Sequence, residues 1–156
     1  LPEAIIRAVR PGDVKELVAN LRDADRLEIM GMHTSLEAAA RYSVERSRYV
    51  AAAECDGRLV CIFGVGSMGT LSDTGVPWLL GTNEMRHHRR AVLEKSREYV
   101  PAMLVLYPVL RNYVDARYTE AVRWLKWLGF DVKPAQRIGR RGELYHPFEM
   151  RADTHV

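Results

Sequence analysis

The chain has 156 residues, 47% hydrophobic and 28% charged, a composition that suits a globular domain with a sizeable core and excludes an intrinsically disordered chain. The formal charge of +3 and pI near 9.0, with both signs interspersed, make too weak a basic bias for a dedicated nucleic-acid binder. No apolar run approaches a membrane span, and the start LPEAIIRAVRPGD lacks the shape of a signal peptide, so one domain over 1–156 with no membrane partner is expected.

Residues 3–10 read as a strand (Ile5, Ile6, Val9) ended by Pro11-Gly12, and Asp13 is a candidate N-cap for a helix with Val14, Leu17, Val18 and Leu21 on one face. Thr34 or Ser35 can cap a second helix to about Arg48, with Leu36, Ala39, Ala40 and Val44 inward. Asp56-Gly57 is a hairpin signal between RYVAAAEC and RLVCIFGVG. A two-residue loop sets Cys55 opposite Arg58 and Cys61 opposite Ala52, so the thiols are not partners and a reduced, intracellular setting is expected. The nearly all-apolar second arm predicts a central strand.

A short strand over 76–80 leads into a long helix over 84–105, whose inward face is Met85, Val92, Leu93, Ser96, Val100, Met103 and Leu104; Pro101 should kink or end it. Residues 109–116 read as a strand. TEAVRWLKWLGF is the clearest helix, with Thr119 as N-cap, Ala121, Val122, Leu125 and Leu128 as the buried stripe, and Gly129 just past its end. Phe130 opens a strand to about Gln136, a turn follows over 139–142, and ELYHPFEMR is the last strand.

This order of elements, with RAVRPGDVKEL near the start and AVRWLKWLGF near the end, resembles the GCN5-related N-acetyltransferases (GNAT). The resemblance implies an α/β fold: a mixed, mostly antiparallel central sheet of six to seven strands flanked by about four helices. The segments WLLGTNEM and LRNYVDARYTEAVRWLKWLGF, with the Arg-rich start of the long helix, are also similar to the internal core protein A family, small internal virion proteins of short-tailed bacteriophages.

The acetyltransferase resemblance implies a phosphate loop after the fourth strand, patterned Arg or Gln, two residues, Gly, any residue, Gly or Ala, so that backbone N–H groups can approach a pyrophosphate. GTNEMRHHRRA offers only Gly81 there and reads as degraded. The family's general acid is commonly a Tyr four residues before the Gly-Phe pair. Here that position is Leu125, the preceding Ala is matched by Ala121, and the family's Asn is replaced by Tyr118, which lies at the helix entrance. Glu54 and Glu84 are the candidate bases, each more simply an exposed carboxylate. Adjacent His87 and His88 diverge by about 100° on a helix and make a poor metal pair.

No catalytic, cofactor-binding or metal-binding residue is therefore expected. The basic run Arg86, His87, His88, Arg89 and Arg90 is left as an anion or partner-docking site, or as a solvated helix surface paired in part with Glu84 and Glu94. Arg137, Arg140 and Arg141 could add to a nucleic-acid patch, and Trp124 and Trp127 are candidate interface aromatics as well as core. The reading that follows is a noncatalytic structural or assembly protein of a phage virion, in the host cytoplasm before assembly, docking onto other phage structural proteins as an oligomer or ring, with no cofactor and weak nucleic-acid binding at most. The alternatives are an acyl-CoA-dependent N-acetyltransferase with a divergent phosphate loop, which would use acetyl-CoA, and a basic nucleic-acid-associated protein. The gap between the fourth and fifth strands discriminates: an open V with free backbone N–H groups favours the enzyme, and a plugged cleft excludes it.

Overall fold

The computed structural model describes residues 3–153. Asp56 and Gly57 adopt positive φ of 51° and 73°, the turn whose twist matches flanking strands, and join β2 (Ser47–Cys55) to β3 (Arg58–Ser67). Cys55 pairs with Arg58 as expected. A register shift between Ala53 and Glu54 then sets Cys61 opposite Ala53, one residue away from the expected Ala52.

Around this hairpin the sheet runs β1 (Ile5–Arg7), β2, β3, β4 (Thr74–Gly81), β5 (Val109–Asp115), β8 (Leu144–Arg151) and β6 (Asp131–Val132), with β7 (Gln136–Arg137) also on β8. Every pairing is antiparallel except β4 with β5. The sheet is thus mixed and mostly antiparallel as expected, with eight strands and five helices among the described residues. The continuous strand expected over 130–136 is two short pieces, both borrowing β8 as partner.

Helices α1 (Asp13–Ala19), α2 (Asp23–Met32) and α3 (Leu36–Arg46) cover one face, where Leu17, Leu21, Ile29 and Ala40 meet Ala52, Ile62 and Leu80. Helices α4 (Arg89–Leu106) and α5 (Thr119–Leu128) cover the other, where Val92 and Met103 meet Phe63, Val65, Leu110 and Phe148. Each of the larger side chains so buried stabilises the fold by about 1.5–3 kcal/mol.

The helix ends test the capping expectations. Ser35 caps α3, its Oγ accepting the Ala38 N–H at 3.2 Å, and Gly129 ends α5 at φ 100°. Asp13 and Thr119 are each the first residue inside a helix instead of its cap. Asp13 turns its carboxylate back to accept the Arg10 N–H at 2.7 Å and the Arg7 guanidinium at 2.8 Å. The long helix expected over 84–105 is a 3₁₀ turn (Asn83–His87) followed by α4, with His88 between them. Pro101 does not end α4, which continues to Leu106. Helix α2, over residues for which the sequence predicts no element, is the addition that matters most for the site.

Candidate active site

Strands β4 and β5 start side by side and then part. They pair only at Thr74 with Val109 and Gly75 with Leu110. Beyond that point β4 stays in register with β3 as far as Gly81, and β5 with β8 as far as Asp115, so each arm of the V is anchored on its outer side. A cavity of about 1320 Å³ occupies the opening and reaches both faces of the sheet, touching Ile29, Trp78 and Leu80 on one side and Phe63, Val92 and Leu125 on the other.

Strand alternation decides which backbone groups face this opening. The Thr82 N–H donates to the Val60 carbonyl at 3.0 Å, toward β3, so Gly81, Leu79 and Pro77 turn their backbone polar groups into the gap. Pro77 has no N–H, and its carbonyl accepts the Asn112 side-chain amide of β5 at 2.8 Å. The Gly81 N–H donates to Asp25 Oδ2 at 2.8 Å, and the Gly81 carbonyl accepts the Arg22 N–H at 3.0 Å. The Leu79 N–H is left as a donor aimed into the cleft.

The end of β4 is gripped by the strap of residues 20–22 between α1 and α2. Leu21 bridges Thr82, and the Asn83 N–H donates to the Asn20 carbonyl at 2.9 Å. A Cβ on Gly81 would stand 2.6 Å from Met85 Cγ and 2.8 Å from Arg22 Nε, so this glycine serves the approach of the strap.

Just beyond the strap, α2 lays two carboxylates, Asp25 and Glu28, along the opening. Arg22 holds Asp25, with Nη2 at 2.8 Å from Oδ2, and its guanidinium lies 5.4 Å from the centre of the Tyr118 ring. Glu28 Oε1 accepts the Asp115 N–H at 2.8 Å. Its Oε2 makes no hydrogen bond, and no buried side-chain oxygen or nitrogen among the described residues lacks a partner, so Oε2 opens to the cleft.

Burial pushes the Glu28 carboxyl up to about 8, the nearby Asp25 and Asp115 carboxylates adding to the effect. Burial also raises Asp25 above the ordinary carboxylate range against the pull of Arg22. The Tyr118 phenol is raised by burial and by Asp25, so it stays protonated, and burial lifts the Cys61 thiol to about 12.

The residues singled out from the sequence gather only in part: Glu84, His87, His88, Arg90 and Trp124 line the cavity, and Glu54, Arg86, Arg89 and Trp127 do not. Arg86 and His87 end the 3₁₀ turn, with Arg86 Nε 3.1 Å from His87 Nε2. His88 precedes α4 and gives it no side-chain cap. Arg89 pairs with Glu120 of α5 at 3.4 Å and Arg90 with Glu94 at 3.3 Å, so part of the run is compensated by carboxylates. Glu84 pairs with Arg58 at 3.2 Å and lies beyond the end of β4, while Glu54 pairs with Arg7 at 2.9 Å. Neither expected base is therefore at the heart of the cleft.

Arg140 donates from N and Nη2 to the Gly31 and Met30 carbonyls, both at 2.7 Å, where α2 ends, so it serves the fold. Trp124 packs on the core and lines the cavity. Trp127 is 46% exposed, with the Arg97 guanidinium 3.7 Å over its ring.

Sequence reasoning missed Arg22, Asp25 and Glu28 and placed Tyr118 only at a helix entrance. The available signal was Asp25, Ile29 and Met32 at helical spacing in DADRLEIMGM, with two acidic residues in the first turn.

No protein-family model and no curated protein sequence matches the chain. Many solved structures do. A GNAT-family acetyltransferase from Streptococcus pneumoniae superposes with a TM-score of 0.68 at 18% identity, over 97% of this chain and 100% of that one. An acetyltransferase from Salmonella typhimurium, solved with its cofactor acetyl-CoA, gives 0.70 at 13% identity over 99% and 96%. A ribosomal-protein-alanine N-acetyltransferase from Brucella melitensis gives 0.65 at 18% identity over 94% and 99%. All three are acetyltransferases, a finding that overturns the expectation of a noncatalytic structural or assembly protein of a phage virion. The architecture around the open cleft is the GNAT fold.

Proposed function

We propose that this chain is an acyl-CoA-dependent N-acetyltransferase. The observation that carries the reading is the V itself: two parallel strands hydrogen-bonded at two positions and then splayed, with the Leu79 N–H directed into the opening. The residues present suit an acyl-CoA. An open V with one inward N–H accommodates an extended acylated chain, and α4 begins at the cleft with no side-chain cap and no acidic residue in its first turn. Arg90 supplies a side-chain cation, and His87 and His88, which line the same cavity, supply ring nitrogens, where the family pattern supplies glycine backbone.

When bound, acyl-CoA supplies an activated acyl group on sulfur. The Leu79 N–H stabilises negative charge developing on a carbonyl oxygen set against it. Glu28 Oε2 accepts a proton from an incoming amine, its carboxyl poised near 8 so that a useful fraction is ionised at mildly alkaline pH. The Tyr118 phenol, kept protonated by burial and by Asp25 against the pull of Arg22, donates a hydrogen bond toward the departing sulfur. The strap of residues 20–22 covers the end of the V and limits water there.

The test is thiol release from acetyl-CoA in the presence of spermidine, an alanine-terminated peptide and simple primary amines. Amine-dependent release that collapses in E28Q supports the reading. Absence of acetyl-CoA binding by calorimetry at millimolar ligand, together with no release for any amine, refutes it.

A further inference from the structure

Helix α2 touches both arms of the cleft through two carboxylates one turn apart. Asp25 Oδ2 accepts the N–H of Gly81, the last residue of β4, at 2.8 Å. Glu28 Oε1 accepts the N–H of Asp115, the last residue of β5, also at 2.8 Å. In a closed parallel pair these N–H groups would seek carbonyls of neighbouring strands. Here the gap is spanned by side chains whose separation is fixed by the helix, since residues three apart on one face have Cβ atoms about 5–6 Å from each other.

We infer that Asp25 and Glu28 act as a spacer that holds the ends of β4 and β5 at a fixed aperture, and that Asp25 is thereby a positioning residue for the Leu79 N–H two residues upstream of Gly81. A spacer must itself be rigidly seated, and α2 is. The Tyr145 hydroxyl donates to the Glu28 carbonyl at 2.6 Å, and Gly31 passes so close that a Cβ there would lie 2.1 Å from the same hydroxyl. Arg140 grips the last turn through two 2.7 Å hydrogen bonds. Arg22 neutralises Asp25, whose side chain is only 1% exposed, so the buried carboxylate on the β4 side is paired in place.

The geometric half of the inference stands apart from the proposed reaction, while the positioning role rests on it, and the experiment separates the two. Amide hydrogen exchange by NMR is measured on the full chain for Gly81 and Asp115, in the wild type and in D25N, D25A, E28Q and E28A. Asn and Gln keep an oxygen acceptor and Ala does not. The expected result is at least tenfold faster exchange at Gly81 in D25A and at Asp115 in E28A, with the amide variants close to wild type. Unchanged exchange in the alanine variants overturns the spacer; should D25A fail to fold, the E28A and E28Q pair decides. For the positioning role, D25A should lower kcat at least tenfold with little change in KM for the amine, and D25N should recover most of it. Full kcat in D25A despite a deprotected Gly81 overturns positioning. Altered exchange in a protein whose wild type shows no acyl transfer leaves the spacer standing and removes the enzymatic reading.

Discussion

Replacing Glu28 by Gln should make the protein more stable and, under the proposed reading, inactive, with a gain that depends on pH. The folded carboxyl titrates at about 8 against an ordinary value of 4.5. Between those values the folded state keeps a proton that the unfolded state has lost, so wild-type stability falls as pH rises through the window and levels off above about 8. At about 1.4 kcal/mol per pH unit the ceiling is about 5 kcal/mol, and solvent reaching Oε2 through the cleft should reduce the observed value to about 2–3 kcal/mol. The amide introduced by E28Q cannot ionise and keeps an oxygen for the Asp115 N–H. Urea denaturation of both proteins at intervals from about pH 4.5 to about pH 9 should give a difference near zero at the acid end that grows in favour of E28Q toward the alkaline end. A pH-independent difference, or one that shrinks as pH rises, would refute the claim that the cleft holds this carboxyl protonated.

Gly75→Ala should destabilise by about 2 kcal/mol in denaturant melts, because the new Cβ would lie 2.5 Å from the buried Tyr107 ring, an overpacking cost. Arg7→Ala, which strands Asp13 and Glu54 near the start of α1, should cost about 3 kcal/mol by the same assay. Arg97→Ala should cost only about 0.5–1 kcal/mol and shift Trp127 fluorescence, since the stacked pair is largely exposed. Reversing charge at Arg90 should leave the thermal midpoint unchanged while weakening acetyl-CoA binding and flattening its salt dependence, checked by calorimetry at several ionic strengths.

The elements whose cause is local were legible in the sequence. Asp56-Gly57 marked the hairpin, Ser35 the start of α3, and Gly129 the end of α5. Helix α2 escaped because its inward side carries Asp25 and Glu28, so the polar residues that periodicity assigns to solvent are the ones the fold encloses. The one-residue shift at Cys61 comes from a bulge, which leaves no residue signature in an all-apolar arm.

The noncatalytic expectation failed for a physical reason. Access to backbone N–H groups was judged by counting glycines after the fourth strand, whereas the Leu79 N–H is exposed by the parting of two strands and the alternation of β4. Likewise, the sequence offers the basic run only its neighbours Glu84 and Glu94, whereas the carboxylate that meets Arg89 is Glu120 on a different helix.

The same parting leaves β4 with a sheet edge inside the molecule. Unpaired strand edges invite foreign strands, and a long one here would be a template for edge-to-edge aggregation. On the gap side of β4, Pro77 offers no donor and its carbonyl is taken by Asn112, while the Gly81 N–H and carbonyl are taken by Asp25 and Arg22. Between these guarded positions only Leu79 presents an open N–H. An edge one residue long is too short to zip with another chain, so the cleft can stay open for a ligand without exposing the protein to strand addition.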